Sequence, residues 1–399
     1  MFILKRLWCR AFQTVFRIAL PILPYREPEL LSSNEGIVEI MKSKGCASVL
    51  IIAGKTVTKN QLVEPLKLSL QKADVKYVIY DKTQPNPTVS NVEEALEIYR
   101  KSSCDAIIAV VGGSAMDCAK AVGARVAHPK KPLNKMGGVM RVIRRIPTLV
   151  AIPTTAGTGS EVTLAAVITD DIAHHKYAIM SFPLIPHYAL LDATLTYSLP
   201  PHLTSTTGMD ALTHAVEAYV GRSTTKKTGA LALEATALIF KNIERAYSDG
   251  RDREARENML LAAYKAGIAF SMSYVGYVHA IAHSVGGKYG TPHGLANAVI
   301  MPYVLESYGK SAQKKLHRLG VAAGVCDEND SHETGAQRFI DAIRELNAKM
   351  NIPSTLPIIE ETDIPELARH AEKEANPLYP VPKLMTAKEL ETIYRRLAR

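Results

Sequence analysis

The stretch Ala106-Ile-Ile-Ala-Val-Val-Gly-Gly-Ser-Ala-Met-Asp-Cys-Ala-Lys120 decides the fold class. Its first six residues are apolar and four of them β-branched, a strand with no polar face, so both faces must be covered as in a parallel sheet with helical crossovers. Gly112 and Gly113 then turn the chain into a helix predicted to start at Ser114, with Ser114 and Asp117 at capping-box spacing. Runs of the same character recur at 48–53, 76–80, 148–152, 165–169 and 188–192, separated by helical stretches such as 92–101. An α/β domain over residues 1–200 is expected, with residues 1–30 as an N-terminal extension to it.

After Leu199-Pro-Pro201 the strand signals stop. Amphipathic stretches at 210–220, 230–247, 252–270, 276–285, 295–308, 312–323, 332–350 and 386–397 predict an all-α second domain over 201–399. Two domains suit 399 residues, because single cores stop growing at roughly 250–300. Hydrophobic residues at 47% and charged residues at 22% exclude a disordered chain. A net charge of +9 raises the alternative of a basic nucleic-acid-binding protein. Its best support is the acid-free run from Arg125 to Arg145, which has no aromatic residue for stacking and reads as a solvated loop.

The five cysteines are odd in number and lack a Cys-x-x-Cys pair, as expected of reduced thiols in a cytoplasmic protein. No run approaches the roughly 20 apolar residues of a membrane span, and neither membrane nor nucleic acid is expected as a partner. Near the N-terminus Lys5, Arg6 and Arg10 precede apolar residues and Arg17 interrupts them. The segment 2–25 reads as an amphipathic docking segment and a candidate contact in a homo-oligomer, a dimer or larger.

Two readings fit the glycine turn: a tight, well-capped connection, or a pyrophosphate site at a helix N-terminus, where free N–H groups and the helix dipole favour an anion. The Gly-x-Gly-x-x-Gly fingerprint is absent, and Gly54-Lys55-Thr56 is no P-loop, since Val49 stands where that motif needs glycine. A second run, 153–163, holds four threonines, one serine and two glycines and is expected to line a ligand. In the second half Asp210 and His214 lie one helical turn apart, as do His279 and His283, and His293 follows in a predicted loop after Gly286-Gly287. A carboxylate with several imidazoles suits a divalent transition metal acting as a Lewis acid. A dinucleotide loop in one domain and an open metal site in the other imply hydride transfer in a cleft between them.

These motifs, together with Pro85-Asn-Pro87, Leu199-Pro-Pro201, the run from Gly208 to Tyr219 and that from His279 to Pro302, resemble the iron-containing, or group III, alcohol dehydrogenases. The resemblance spans nearly the whole chain. It implies a Rossmann-like dinucleotide-binding domain followed by an all-α metal-binding domain, the dehydroquinate synthase-like fold. It further implies Fe(II) or Zn(II) on Asp210, His214, His279 and His293, with His283 a catalytic residue that moves the hydroxyl proton. NAD or NADP would contact Asn86, Gly112, Gly113, Ser114, Thr154, Thr155, Thr158, Thr163 and Lys176, and Phe270 would face a small alcohol, diol or aldehyde. Two positions depart from the family pattern: Val111 stands where a third glycine is common, and Gly54 where NAD-preferring relatives often have Asp. Gly54 beside Lys55 removes a charge that would repel a 2′-phosphate, which admits NADP, although Asp81, at the end of the second predicted strand, is placed to reach a ribose in the general Rossmann manner. A glycerol or polyol dehydrogenase on the same fold is the nearest alternative.

Overall fold

A computed structural model of the chain describes residues 2–19, 23–171 and 175–399. The chain divides into two compact units, Pro24–Ser198 and Met1–Leu23 with Leu199–Arg399.

Among the described residues the α/β unit has nine strands: β1 Glu29–Leu31, β2 Ser48–Ala53, β3 Lys76–Tyr80, β4 Ala106–Val111, β5 Gly138–Val139, β6 Thr148–Pro153, β7 Ala165–Asp170, β8 His175–Met180 and β9 Tyr188–Leu190. Six form a sheet in the order β1-β9-β6-β4-β2-β3, parallel throughout. Every residue of β2 and β4 is buried, which explains their unbroken apolar sequence. Leu50, Ile52, Ile107 and Ala109 pack with Val92, Leu96, Met116 and Ala119 from helices Val89–Lys101 and Gly113–Ala127. Val49, Ile51, Ile108 and Val110 pack on the other face with Ile37, Met41, Leu66 and Leu70 from helices Asn34–Ser43 and Glu64–Lys72.

Two expectations for this unit are corrected. The run at 165–169 does not join the parallel sheet; as β7 it pairs antiparallel with β8, and β5 joins β8 to complete a separate three-stranded sheet. Ser114 and Asp117 form no capping box. The helix begins at Gly113 with Gly112 as its cap, the Ser114 hydroxyl donates to the Pro85 carbonyl, and Asp117 accepts from the Ser160 hydroxyl at 3.1 Å and the Val167 N–H at 3.0 Å. The Arg125–Arg145 run starts in the last turn of helix Gly113–Ala127 and takes in a 3-10 turn at Leu133–Met136 and β5; Arg125 pairs with Glu93 at 2.6 Å and donates to the carbonyls of His128, Pro129 and Lys131.

The second unit is helical. Pro200 caps and Pro201 opens the helix Pro201–Val220, a position where proline's missing N–H costs nothing. Helices Lys226–Ser248, Arg253–Ser273, Tyr277–Tyr289, His293–Tyr308, Gln313–Ala322, His332–Lys349, Ile364–Ala375 and Ala387–Leu397 follow. Residues 208–220 are buried without a break. The N-terminal helix Phe2–Ala19 belongs here and not with the α/β domain, because Arg10 donates to the carbonyls of Val381 and Pro382, and Gln13 to that of Tyr379. Gly286 and Gly287 do not end their helix, which runs on to Tyr289 and stops at Gly290, where φ is +70°. His293 is accordingly not in a loop; it is the first residue of the next helix.

Candidate active site

Asp210 and His214 both lie on the buried length of Pro201–Val220. Gly294 lets the next helix approach: a Cβ there would collide with the Thr206 carbonyl, so only glycine permits the contact that carries His293 toward Asp210. His293 Nε2 lies 3.4 Å from Asp210 Oδ1. Ligand atoms of Asp210, His279 and His293 all fall within 4.8 Å of one another. His214 stacks on His279, centroids 4.7 Å apart, and its other neighbour is the Phe270 ring, 4.1 Å away at 14°.

Three residues missed in the sequence complete this cluster. Glu217, buried, accepts the Gly276 and Val278 N–H groups at 2.8 and 2.7 Å and sits 2.6 Å from His279 Nδ1. That bond fixes the tautomer and aims the Nε2 lone pair into the site. Burial, reinforced by His214, His293 and His283, holds the His279 pKa well below its ordinary value, so the ring is neutral and able to act as a ligand. Asn297 is the second: its Nδ2 lies 2.7 Å from Asp210 Oδ1, 3.1 Å from His293 Nε2 and 3.3 Å from His279 Nε2. An amide nitrogen has two hydrogens, yet three acceptor-type atoms converge on it. That surplus of lone pairs is what a divalent cation would satisfy, so the residues fit the metal that the resemblance implies. Glu217 and Asn297 were signalled by spacing, one turn past His214 and His293.

Glu374 is the third, and it sits on Ile364–Ala375, a helix the periodicity did not show. Its Oε1 lies 2.6 Å from His283 Nδ1 and accepts the Tyr379 hydroxyl at 2.5 Å. The His283 ring stacks on His293 at 5.3 Å and 18°. Burial opposes protonation of His283, and the Glu374 hydrogen bond and charge outweigh it, so its pKa is raised. A pocket of about 350 Å³ opens here, with Ser284, Lys288, Asp363 and His370 beside His283 and Glu374.

The α/β unit brings most of the expected cofactor residues into two groups. Pairing of Val111 with Pro153 sets the glycine turn beside the threonine-rich run. A Cβ on Gly113 would lie 2.8 Å from Thr158 Cγ2, and one on Gly112 3.4 Å from Thr155 Oγ1. Asn86 accepts from Lys176 at 2.9 Å, and Ser114 donates to the neighbouring Pro85 carbonyl. Thr154 is buried, its N–H donating to the Val111 carbonyl, and the buried Thr163 hydroxyl is engaged by Lys120. Lys120 is fully buried and donates to Ser160 Oγ, Thr163 O, Thr163 Oγ1 and Ala165 O at 2.8–3.0 Å, bracing the loop from below. Burial pushes its pKa down to about 8 against the opposing pull of Asp117 and Glu161. Gly54 caps a short helix with open space around a built Cβ, and Asp81 accepts the Thr58 hydroxyl at 2.9 Å.

Residues 32–193 match the model of the family described as iron-containing alcohol dehydrogenase, and 204–398 that of its C-terminal domain. The chain is 36% identical to alcohol dehydrogenase 4 of Schizosaccharomyces pombe over 94% of its length and 89% of the relative's. It is likewise 36% identical to a 1,3-propanediol dehydrogenase of Citrobacter freundii over 90% of its length and 93% of the relative's. A solved 1,3-propanediol oxidoreductase superposes with a TM-score of 0.89 at 34% identity, covering 94% of this chain and 99% of that one. The chain belongs to the iron-containing alcohol dehydrogenase family and is an NAD(P)-dependent oxidoreductase.

Proposed function

We propose that this enzyme oxidises small primary alcohols and diols to aldehydes, and reduces the aldehydes in reverse, with Fe(II) or Zn(II) held by Asp210, His214, His279 and His293. The observation that carries this reading is the convergence of Asp210, His279 and His293 lone pairs on a point where one amide supplies too few hydrogens. A divalent cation there supplies Lewis acidity to the substrate oxygen. Asp210 contributes the negative charge of the set, and Glu217 keeps His279 in the tautomer that can ligate. Phe270 gives an apolar wall beside His214 for the substrate's carbon chain. His283 has its Nδ1 committed to Glu374, which leaves Nε2 to take up the hydroxyl proton; a bound nicotinamide would supply the hydride acceptor. The polar lining of the pocket beside His283 favours a substrate with a second hydroxyl, as the names of the propanediol dehydrogenases among the relatives also suggest.

The free N–H groups at the start of Gly113–Ala127 would hold the dinucleotide pyrophosphate, and Asn86, Ser114, Thr155, Thr158 and Lys176 would contact the cofactor. Both NAD and NADP are accepted, because Gly54 offers neither a charge nor a side chain against a 2′-phosphate. The five free cysteines fit a cytoplasmic location. Metal analysis followed by turnover of 1,3-propanediol, butanol and glycerol with each cofactor tests the proposal. Loss of turnover on removing the divalent metal and recovery with Fe(II) or Zn(II) is expected. Undiminished turnover after complete removal would overturn it.

A further inference from the structure

Helix Phe2–Ala19 lies outside both matched ranges, 32–193 and 204–398, yet it supplies donors to a segment of the helical unit that needs them. Residues 376–382 follow helix Ile364–Ala375 and form neither helix nor strand. Pro377, Pro380 and Pro382 bring no N–H, so the segment's carbonyls must find donors elsewhere. Arg10 donates to the Val381 and Pro382 carbonyls at 2.7 and 2.9 Å, and Gln13 to those of Tyr379 and Pro377 at 2.7 and 3.4 Å. Gln13 is buried and its Oε1 accepts from Arg10 at 2.7 Å, which joins the two side chains into one clamp.

The clamped segment carries Tyr379, whose buried hydroxyl donates to Glu374 Oε1 at 2.5 Å. The same oxygen lies 2.6 Å from His283 Nδ1. The Glu374 side chain is 34% exposed and has water as a competing partner, so a fixed hydroxyl on its inner side biases it toward the imidazole. The Tyr379 ring lies 5.4 Å from that of Tyr274, and Phe16 of the N-terminal helix meets Tyr274 edge-on at 5.7 Å and 85°. Tyr274 has a φ of +67°, and its N–H donates to the Phe270 carbonyl at 2.6 Å. A side-chain-bearing residue keeps such a backbone only where its surroundings hold it, and Phe16 is among the groups that do. Contacts therefore run without a break from Gln13 and Phe16, through Tyr379 and Glu374, to His283.

We propose that the N-terminal helix positions the proton-accepting imidazole: Arg10, Gln13 and Phe16 fix Tyr379, and Tyr379 holds Glu374 against His283 Nδ1. The Nδ1 proton then stays on Glu374 and the lone pair stays on Nε2, the atom that takes up the substrate's proton. This inference rests on the role given above to His283. Arg10, Gln13, Phe16 and Tyr379 are positioning residues, acting through Glu374. A strap with a structural role alone would raise stability and leave the tautomer of His283 as it is.

Two variants test it in the full-length, Zn(II)-loaded protein. Gln13→Ala opens the clamp, and Tyr379→Phe removes only the hydroxyl while keeping the ring against Tyr274. Histidine ¹⁵N spectra in alkaline buffer, with the His283 signals assigned by their loss in His283→Ala, should show the Nδ1–H tautomer in the native protein and a mixture in both variants. With 1,3-propanediol and NAD, kcat should fall about tenfold in Tyr379→Phe at an unchanged KM, part of the about 10²–10⁴-fold that a positioned acid–base group supplies. Placed in a His283→Ala background, neither variant should lower kcat further, because their effect passes through that ring. Two results would overturn the proposal: a native His283 tautomer in both variants, or the same fractional loss of kcat with and without His283. Full turnover by His283→Ala alone is a separate failure, that of the role assigned to His283 itself.

Discussion

Glu217→Gln tests how the metal site is held. The carboxylate has two oxygens and three partners: Oε1 accepts from Val278 N–H, and Oε2 from Gly276 N–H and His279 Nδ1–H. A glutamine must turn its NH₂ toward one oxygen's partners. Facing Val278, it sets donor against donor. Facing Gly276 and His279, it does the same to the backbone and forces the imidazole proton from Nδ1 to Nε2, which removes the lone pair offered to the metal. Either rotamer strands a buried polar group, at about 1–3 kcal/mol. Loss of such an outer partner lowers metal affinity by about 10–100-fold, or about 1.4–2.7 kcal/mol, so the two estimates agree. The assay is competition for Zn(II) against a chromophoric chelator, with the thermal midpoint measured alongside and turnover then recorded at saturating metal. Zn(II) affinity unchanged within about twofold in a folded Glu217→Gln protein would refute the reasoning.

Gly54→Asp fits the open space at that position and should lower the NADP-to-NAD ratio of kcat/KM by on the order of tenfold or more through like-charge repulsion, read from steady-state kinetics. Gly113→Ala drives a methyl into Thr158 Cγ2 and should raise KM for the dinucleotide by about tenfold while leaving metal content unchanged; adding Thr158→Ser, which removes that methyl, should recover most of the loss. Glu161, pushed up to about 7 by burial against the opposing pull of its own backbone N–H and Lys120, binds its proton more tightly when folded. Its contribution to stability is therefore present below its unfolded pKa of about 4.3 and is lost as pH rises through about 7, so the unfolding free energy of the native chain, from urea titration, should fall relative to Glu161→Gln across that window by on the order of 3–4 kcal/mol.

Strands buried on both faces were legible because nothing but apolar residues can occupy them, as in Ser48–Ala53 and Ala106–Val111. The same signal misled at Ala165–Asp170, since a run of small apolar residues does not say which sheet it joins. Its partner His175–Met180 is half exposed and begins with two polar residues, so no continuous pattern marks it. Helix Ile364–Ala375 escaped notice because its buried face is largely alanine, and Glu374 escaped with it. Gly286-Gly287 reads as a stop, yet neither takes a positive φ, and the left-handed turn that ends this helix is at Gly290. Helical spacing drew attention to Asp210 with His214 and to His279 with His283, of which Asp210 and His279 fall together with His293 within ligand distance of one another. Glu217 and Asn297 had comparable spacing, but a carboxylate or amide one turn from a ligand has many ordinary roles, and only the contacts to His279 and Asp210 separate them from those.

The central claim is hydride transfer at the metal cluster. It is tested most directly by following deuterium from 1,1-dideuterated butanol or propanediol into the C4 position of the nicotinamide. Metal-reconstituted native protein should yield deuterated reduced cofactor. A His279→Ala protein, shown to be folded and to have lost its metal, should yield none above background. Equal deuterium transfer by the two proteins would contradict the account.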